Sequence, residues 1–149
     1  MSDQATQQTH DPLEALEKHF GHRKFLDGQA PVVASIRSGR DALVVMPTGG
    51  GKSLCYQLPA MCMDGVTIVV SPLIALMKDQ VDALVGKGIP AAMINSTLSS
   101  EEQSDRIRRM RNGEFKLVYI APERFRSQSF TSALAGCSIG FFAIDEAHC

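Results

Sequence analysis

Ala42-Leu43-Val44-Val45-Met46-Pro47-Thr48-Gly49-Gly50-Gly51-Lys52-Ser53 joins a short apolar run to a glycine turn, a lysine and a hydroxyl residue. Phosphate oxygens need several donors converging on a small volume, and backbone N–H groups converge only where the chain curls without Cβ clashes. Gly49, Gly50 and Gly51 permit that curl. A helix opening near Lys52 would direct its unpaired N–H groups and positive dipole end at the same anion. Lys52 can reach β and γ phosphates, and the Ser53 hydroxyl suits a Mg2+ ligand. Against the pattern G-x-x-x-x-G-K-[ST], the first glycine position is Met46.

Outward from this stretch the chain alternates apolar runs with longer amphipathic segments. The runs at 42–46, 66–70, 117–120 and 141–144 read as strands buried on both faces, with a weaker candidate at 91–94. Between them, 52–63, 73–85 and 99–112 are long enough for crossover helices. Upstream, Asp11-Pro12 reads as an N-cap with proline at the first helical position, and Gly21 ends that helix. A second helix begins near Gln29 or Ala30 and stops around Ser38-Gly39. Residues 1–11 read as a flexible leader and 12–149 as one domain or part of one. The pattern predicts an α/β fold with a mainly parallel sheet, whose ligands bind beyond the C-terminal ends of the strands.

Asp145-Glu146 comes directly after the last apolar run, so two carboxylates stand at a strand end. One can hold Mg2+, usually through water, and the other can orient the water that attacks a γ phosphate. Alone the pair also fits ordinary surface acids; the Lys52-Ser53 segment gives it meaning. His148 is open between a relay role and an ordinary turn residue.

Composition sets the remaining bounds. Fifteen Lys and Arg against sixteen Asp and Glu give a net charge of -1, which neither implies nor excludes nucleic acid. Cys55, Cys62, Cys137 and Cys149 have no close metal-ligand spacing and read as reduced thiols. No apolar run reaches membrane-spanning length and the N-terminus lacks a secretion signal, so a cytoplasmic location is expected. Arg106, Arg108, Arg109 and Arg111 surround Ile107 and Met110, which reads as the solvated face of a helix, with nucleic-acid binding the lesser alternative.

Four motifs in order resemble the first motor domain of the RecQ family of DNA helicases: 46–60, Ser71 to Val81, Tyr119 to Arg124, and Asp145 to Cys149. That resemblance implies a P-loop, RecA-like domain, truncated after the acidic-motif strand. It implies ATP and Mg2+ as cofactors, single-stranded DNA and a duplex junction as partners, and 3′ to 5′ unwinding in DNA repair and recombination at the nucleoid. By the same resemblance Lys52, Asp145 and Glu146 are catalytic, Thr48 to Ser53 bind the phosphates, and Ser53 and Asp145 hold the metal. The segment 20–29 is similar to the family's adenine-reading motif, in which Gln29 reads the base and His22 stands at the stacking position. Leu26 stands where the family usually has arginine, so a stacking guanidinium is absent. Ser71, Lys78 and Arg124 are candidate DNA contacts, each equally readable as a helix cap or a surface salt bridge.

In the family a further strand inserts between the nucleotide-loop strand and the strand ending at Asp145, and a second motor domain completes the ATP site. Without them, the 149 residues are expected to be poorly stable and nearly inactive in unwinding and ATP turnover. The alternatives are part of an RNA helicase or other nucleic-acid-stimulated ATPase, or a non-enzymatic nucleotide- or DNA-binding fragment. A small-metabolite kinase would need an acceptor pocket and lid that the sequence does not offer.

Overall fold

The computed structural model describes residues 11–47 and 51–147, which fall into two compact units divided between Met63 and Asp64. The leader at 1–10 and His148-Cys149 lie outside the described residues.

The first unit is helical: α1 (Pro12–Phe20), α2 (Gln29–Arg37) and α3 (Leu54–Cys62). The Asp11 carboxylate accepts from the Leu13 N–H at 2.9 Å, and Gly21 closes α1 in the left-handed region, at φ 72. Ala15, Leu16, Val33, Leu58 and Cys62 form its core, with Phe20, Phe25 and Leu54 against it. The apolar side of each helix therefore faces the other two, as the spacing predicts.

The stretch 42–46 departs from expectation. Residues 41–47 form no strand, and Leu43 and Val45 are 89% and 91% exposed. An extended segment becomes a strand only when a neighbour takes its N–H and C=O groups, and no ladder to 41–47 exists among the described residues. An apolar run specifies burial without specifying the partner.

The second unit holds β1 (Val66–Val70), α4 (Ile74–Gly86), β2 (Ala91–Ile94), α5 (Ser100–Arg111), β3 (Leu117–Ile120), a 3-10 turn (Pro122–Arg126), α6 (Gln128–Ala135) and β4 (Ile139–Ile144). The strands pair in parallel in the order β2-β3-β1-β4. Parallel crossovers are right-handed, so a reversal of direction across the sheet changes the face on which the helix lies. The chain runs one way through α4 and the other way through α5 and α6. Accordingly Met110 of α5 and Phe130, Ala133 and Leu134 of α6 share a core with Val66, Ile68, Val70, Val118 and Ile120. The sequence pattern does not announce the 3-10 turn or α6, since Phe125 and Phe130 are spaced too irregularly. Their rings pack edge to face with centroids 6.2 Å apart.

A second correction concerns β4, expected to be buried on both faces. Phe142 and Ile144 are 50% and 59% exposed, because β4 ends the strand order and is bordered by β1 alone. At the opposite edge, the Arg106 guanidinium donates to the Met93 carbonyl of β2 at 2.7 Å. Two further members of the arginine cluster make local contacts: Arg108 pairs with Asp105, and Arg109 pairs with Glu114 at 3.3 Å while lying over the Phe115 ring.

Where β1 and β4 start, two backbones nearly touch. Gly65, at φ 87, would bring a Cβ within 2.7 Å of the Ser138 carbonyl and 2.9 Å of the Gly140 nitrogen. The register shifts there, with Val66 opposite Ile139 and Thr67 opposite Phe141. Gly65→Ala is therefore expected to destabilise the protein by about 2–4 kcal/mol, combining backbone strain with a clash against unyielding main chain. Urea unfolding followed by circular dichroism checks this, with Gly113→Ala as comparator, since a Cβ at Gly113 meets nothing within 4 Å and carries only the positive-φ strain.

Candidate nucleotide and nucleic-acid site

Within the first unit, Gln29 holds Gly51, the last glycine of the turn. Its side chain is buried, with 1% exposure for the residue. Its Oε1 accepts from the Leu26 N–H at 2.8 Å, and its Nε2 donates to the Gly51 carbonyl at 3.1 Å. A primary amide has two acceptor sites and two N–H groups. One of each is engaged with the protein, which fixes the plane of the amide. Gly51 sits at φ 73, and a Cβ there would overlap the Gln29 amide nitrogen, so glycine is required both by conformation and by space.

Met46, the departure from the phosphate-loop pattern, has a packing role. Its Cε lies 3.2 Å from the place a Cβ would take on Gly28, and its sulfur is 3.9 Å from the Cys55 sulfur. The Cys55 thiol also approaches the Gly51 carbonyl at 3.8 Å, and burial pushes its pKa up. A larger side chain at Gly28, or a charged one at 55, would disturb the turn from below. Ser53 occupies the N-cap of α3 without a side-chain capping bond, so its hydroxyl is not committed to the helix. An uncommitted hydroxyl beside a lysine, at a helix start, matches the oxygen donor chemistry that Mg2+ and phosphate require. His22 is exposed at its expected stacking position. Thr48, Gly49 and Gly50 lie outside the described residues.

The second unit aligns its site by register. Ile94, Ile120, Val70 and Ile144 are level across β2-β3-β1-β4, so the next residues, Asn95, Ala121, Ser71 and Asp145, form a row at the C-terminal edge. All four are buried, three of them polar. The backbone continues the ladder beyond the strands: Ser71 N–H donates to Ile120 O at 3.0 Å and Asp145 N–H to Val70 O at 2.8 Å. Asp145 Oδ1 accepts from the Glu146 N–H at 2.9 Å, and Glu146 has φ 54, the left-handed region that a non-glycine residue seldom adopts. Such a conformation at a strand end directs the Glu146 side chain differently from a continuing strand.

The tentative nucleic-acid residues separate. Ser71 is in the row, with its hydroxyl accepting from the Leu73 N–H at 3.3 Å. Arg124 lies just beyond β3 and donates to Gln103 Oε1 at 2.6 Å. Lys78 pairs with Asp82 at 2.7 Å, and that carboxylate raises its pKa. Lys78 instead lines a groove of about 360 Å3 along β2, with Arg106, Arg109 and Phe115. Asn95 was missed by sequence reasoning; its signal is the Asn-Ser-Thr sequence after an apolar run, the composition of a side-chain-closed turn. Its Oδ1 accepts from Thr97 N–H at 2.9 Å.

The DEAD/DEAH box helicase family model matches residues 27–149. The chain belongs to the DEAD/DEAH box helicase family. Within that family its sequence is similar to the ATP-dependent DNA helicase RecQ of Haemophilus influenzae, at 48% identity over 92% of this chain. It is 49% identical over 94% of the chain to the RecQ of Bacillus subtilis. These RecQ proteins are much longer: the helicase-family chain spans 22% and 24% of their lengths. Its fold is that of a solved structure described as a hypothetical ATP-dependent RNA helicase from Sulfolobus tokodaii. The TM-score is 0.69 at 21% identity, covering 92% of this chain and 41% of that one. The expected α/β parallel architecture and the RecQ resemblance are thus borne out. No described helix is long and apolar enough to cross a membrane.

The Gln29–Gly51 link makes a specific prediction. Gln29→Leu removes the acceptor for the part-buried Leu26 N–H and is expected to lower stability by about 1 kcal/mol. It is also expected to erase preference for ATP over GTP, read by competition against a fluorescent ATP analogue. Gly51→Ala is expected to weaken ATP and GTP binding alike.

Proposed function

We propose that this chain is the nucleotide-binding part of an ATP-dependent DNA helicase of RecQ type, one that travels 3′ to 5′ on a single strand and opens duplex at a junction. The observation that carries the reading is the bond from Gln29 to Gly51, which couples a base-reading amide to the phosphate turn in a chain nearly half identical to RecQ helicases.

In this reading Gln29 selects adenine with its remaining acceptor and N–H, while His22 covers the base. Thr48 and Gly49 to Gly51 present backbone N–H groups to the phosphates, and Lys52 neutralises the β and γ oxygens. Ser53 and Asp145 are each assigned to the metal by their chemistry, and Mg2+ would offset charge on the phosphates. Glu146 accepts a proton from the attacking water and orients it. Ser71, Lys78 and Arg124 are assigned to the DNA strand, and a second motor domain is the partner whose closure would turn hydrolysis into movement. The setting is cytoplasmic, on nucleoid DNA.

The test uses a RecQ-length protein carrying this region. Lys52→Ala is expected to lower ATP turnover by at least about a hundredfold with loss of nucleotide affinity, and Glu146→Gln to do so with affinity retained. Both should abolish strand displacement. Turnover stimulated by RNA and not by single-stranded DNA would overturn the DNA reading, and nucleotide binding with no stimulated turnover would leave a binding module.

A further inference from the structure

The side chain of Gln103 joins two loops that leave neighbouring strands. Its Nε2 donates to the Leu98 carbonyl at 3.0 Å, in the loop between β2 and α5, and its Oε1 accepts from Arg124 Nη1 at 2.6 Å, in the turn after β3. Both loops start from the polar row, at Asn95 and Ala121, which are level because Ile94 and Ile120 are in register. Each is also braced on its own side. Asn95 Oδ1 accepts from the Thr97 N–H and from its hydroxyl, and the Asn95 amide nitrogen lies 3.7 Å from the Met77 sulfur. The Phe125 ring packs against Phe130 of α6.

Arg124 is thereby held at one end of its guanidinium. Nη1 is committed to Gln103, and Nε is buried with no hydrogen-bond partner. A buried guanidinium N–H without an acceptor is unfavourable.

We propose that Gln103 is a positioning residue of the nucleic-acid face: by tying Leu98 to Arg124 it fixes the guanidinium so that its remaining N–H groups meet one backbone phosphate. This rests on the DNA reading given above and adds to it a residue on α5 and a mode of action. Gln103 touches no phosphate. It removes the rotamer freedom that an unanchored arginine would lose on binding, so its effect passes entirely through Arg124.

The experiment is a double-mutant cycle on single-stranded oligonucleotide binding by a RecQ-length protein carrying this region, read by fluorescence anisotropy across a salt series. Gln103→Met, which keeps side-chain bulk and removes the amide, is measured beside Gln103→Ala, with thermal melting of each variant. Arg124→Ala is expected to weaken binding about tenfold and to flatten the dependence of log affinity on log salt by about 0.7, the loss of one phosphate contact. Both Gln103 variants are expected to move affinity and slope in the same direction, although a neutral residue replaces a neutral one. Combined with Arg124→Ala they should weaken binding no further. Multiplying effects, or a Gln103 change in affinity with the wild-type salt slope, would mean a merely structural role and overturn the proposal. Wild-type RecQ-length protein that binds ATP and no oligonucleotide would overturn the DNA reading itself, and this inference with it.

Discussion

Parallel pairing is the constraint on which most of the second unit depends. Each new strand must start at the same end as its neighbours, so the chain has to cross back over the sheet every time, and a helix is the compact way to do it. The helices bury both faces, which explains the unbroken apolar run Val66-Thr67-Ile68-Val69-Val70 in a strand with neighbours on either side. All the strand C-termini then lie on one edge, where the ladder runs out and polar side chains become necessary. Asn95, Ser71 and Asp145 are there because backbone groups at a buried sheet end need partners. The chemistry is placed by the same requirement that closes the fold.

The first unit solves a different problem with the same economy of bonds. A phosphate-binding turn must leave its N–H groups directed outward, so it cannot be stabilised by using them. Gln29 instead holds the Gly51 carbonyl, and Met46 and Cys55 meet through their sulfurs nearby. The methionine at the first motif position is accommodated because Gly28, without a Cβ, leaves room for its methyl group.

How much of this was legible in the sequence depends on the kind of signal. Helices α1 to α5 and strands β1 to β3 fall within a residue or two of their expected limits, because periodicity, caps and apolar runs are local. The run at 42–46 misled, since hydrophobicity states that a segment prefers burial and says nothing of which backbone will pair with it. Gln29 was legible through resemblance, whereas its hold on Gly51 was not, because the two stand 22 positions apart in the chain. Asn95 carries only the weak turn composition of Asn-Ser-Thr and Gln103 carries no periodic or motif signal; their meaning is the register that brings Asn95 level with Ala121. Glu146 in the left-handed region was equally silent, as nothing in Ile-Asp-Glu-Ala foretells a positive φ.

The arginine that closes the Met93 carbonyl has a consequence outside catalysis. A sheet edge is a template on which any extended chain can add, and during synthesis or after heat such addition competes with folding. Arg106 takes up one acceptor of that template and sets a charge in front of it. Its contribution belongs to the colloidal life of the protein. A change at Arg106 would surface as poor solubility and inclusion bodies in the producing cell, with the protein that survives in solution binding nucleotide as before.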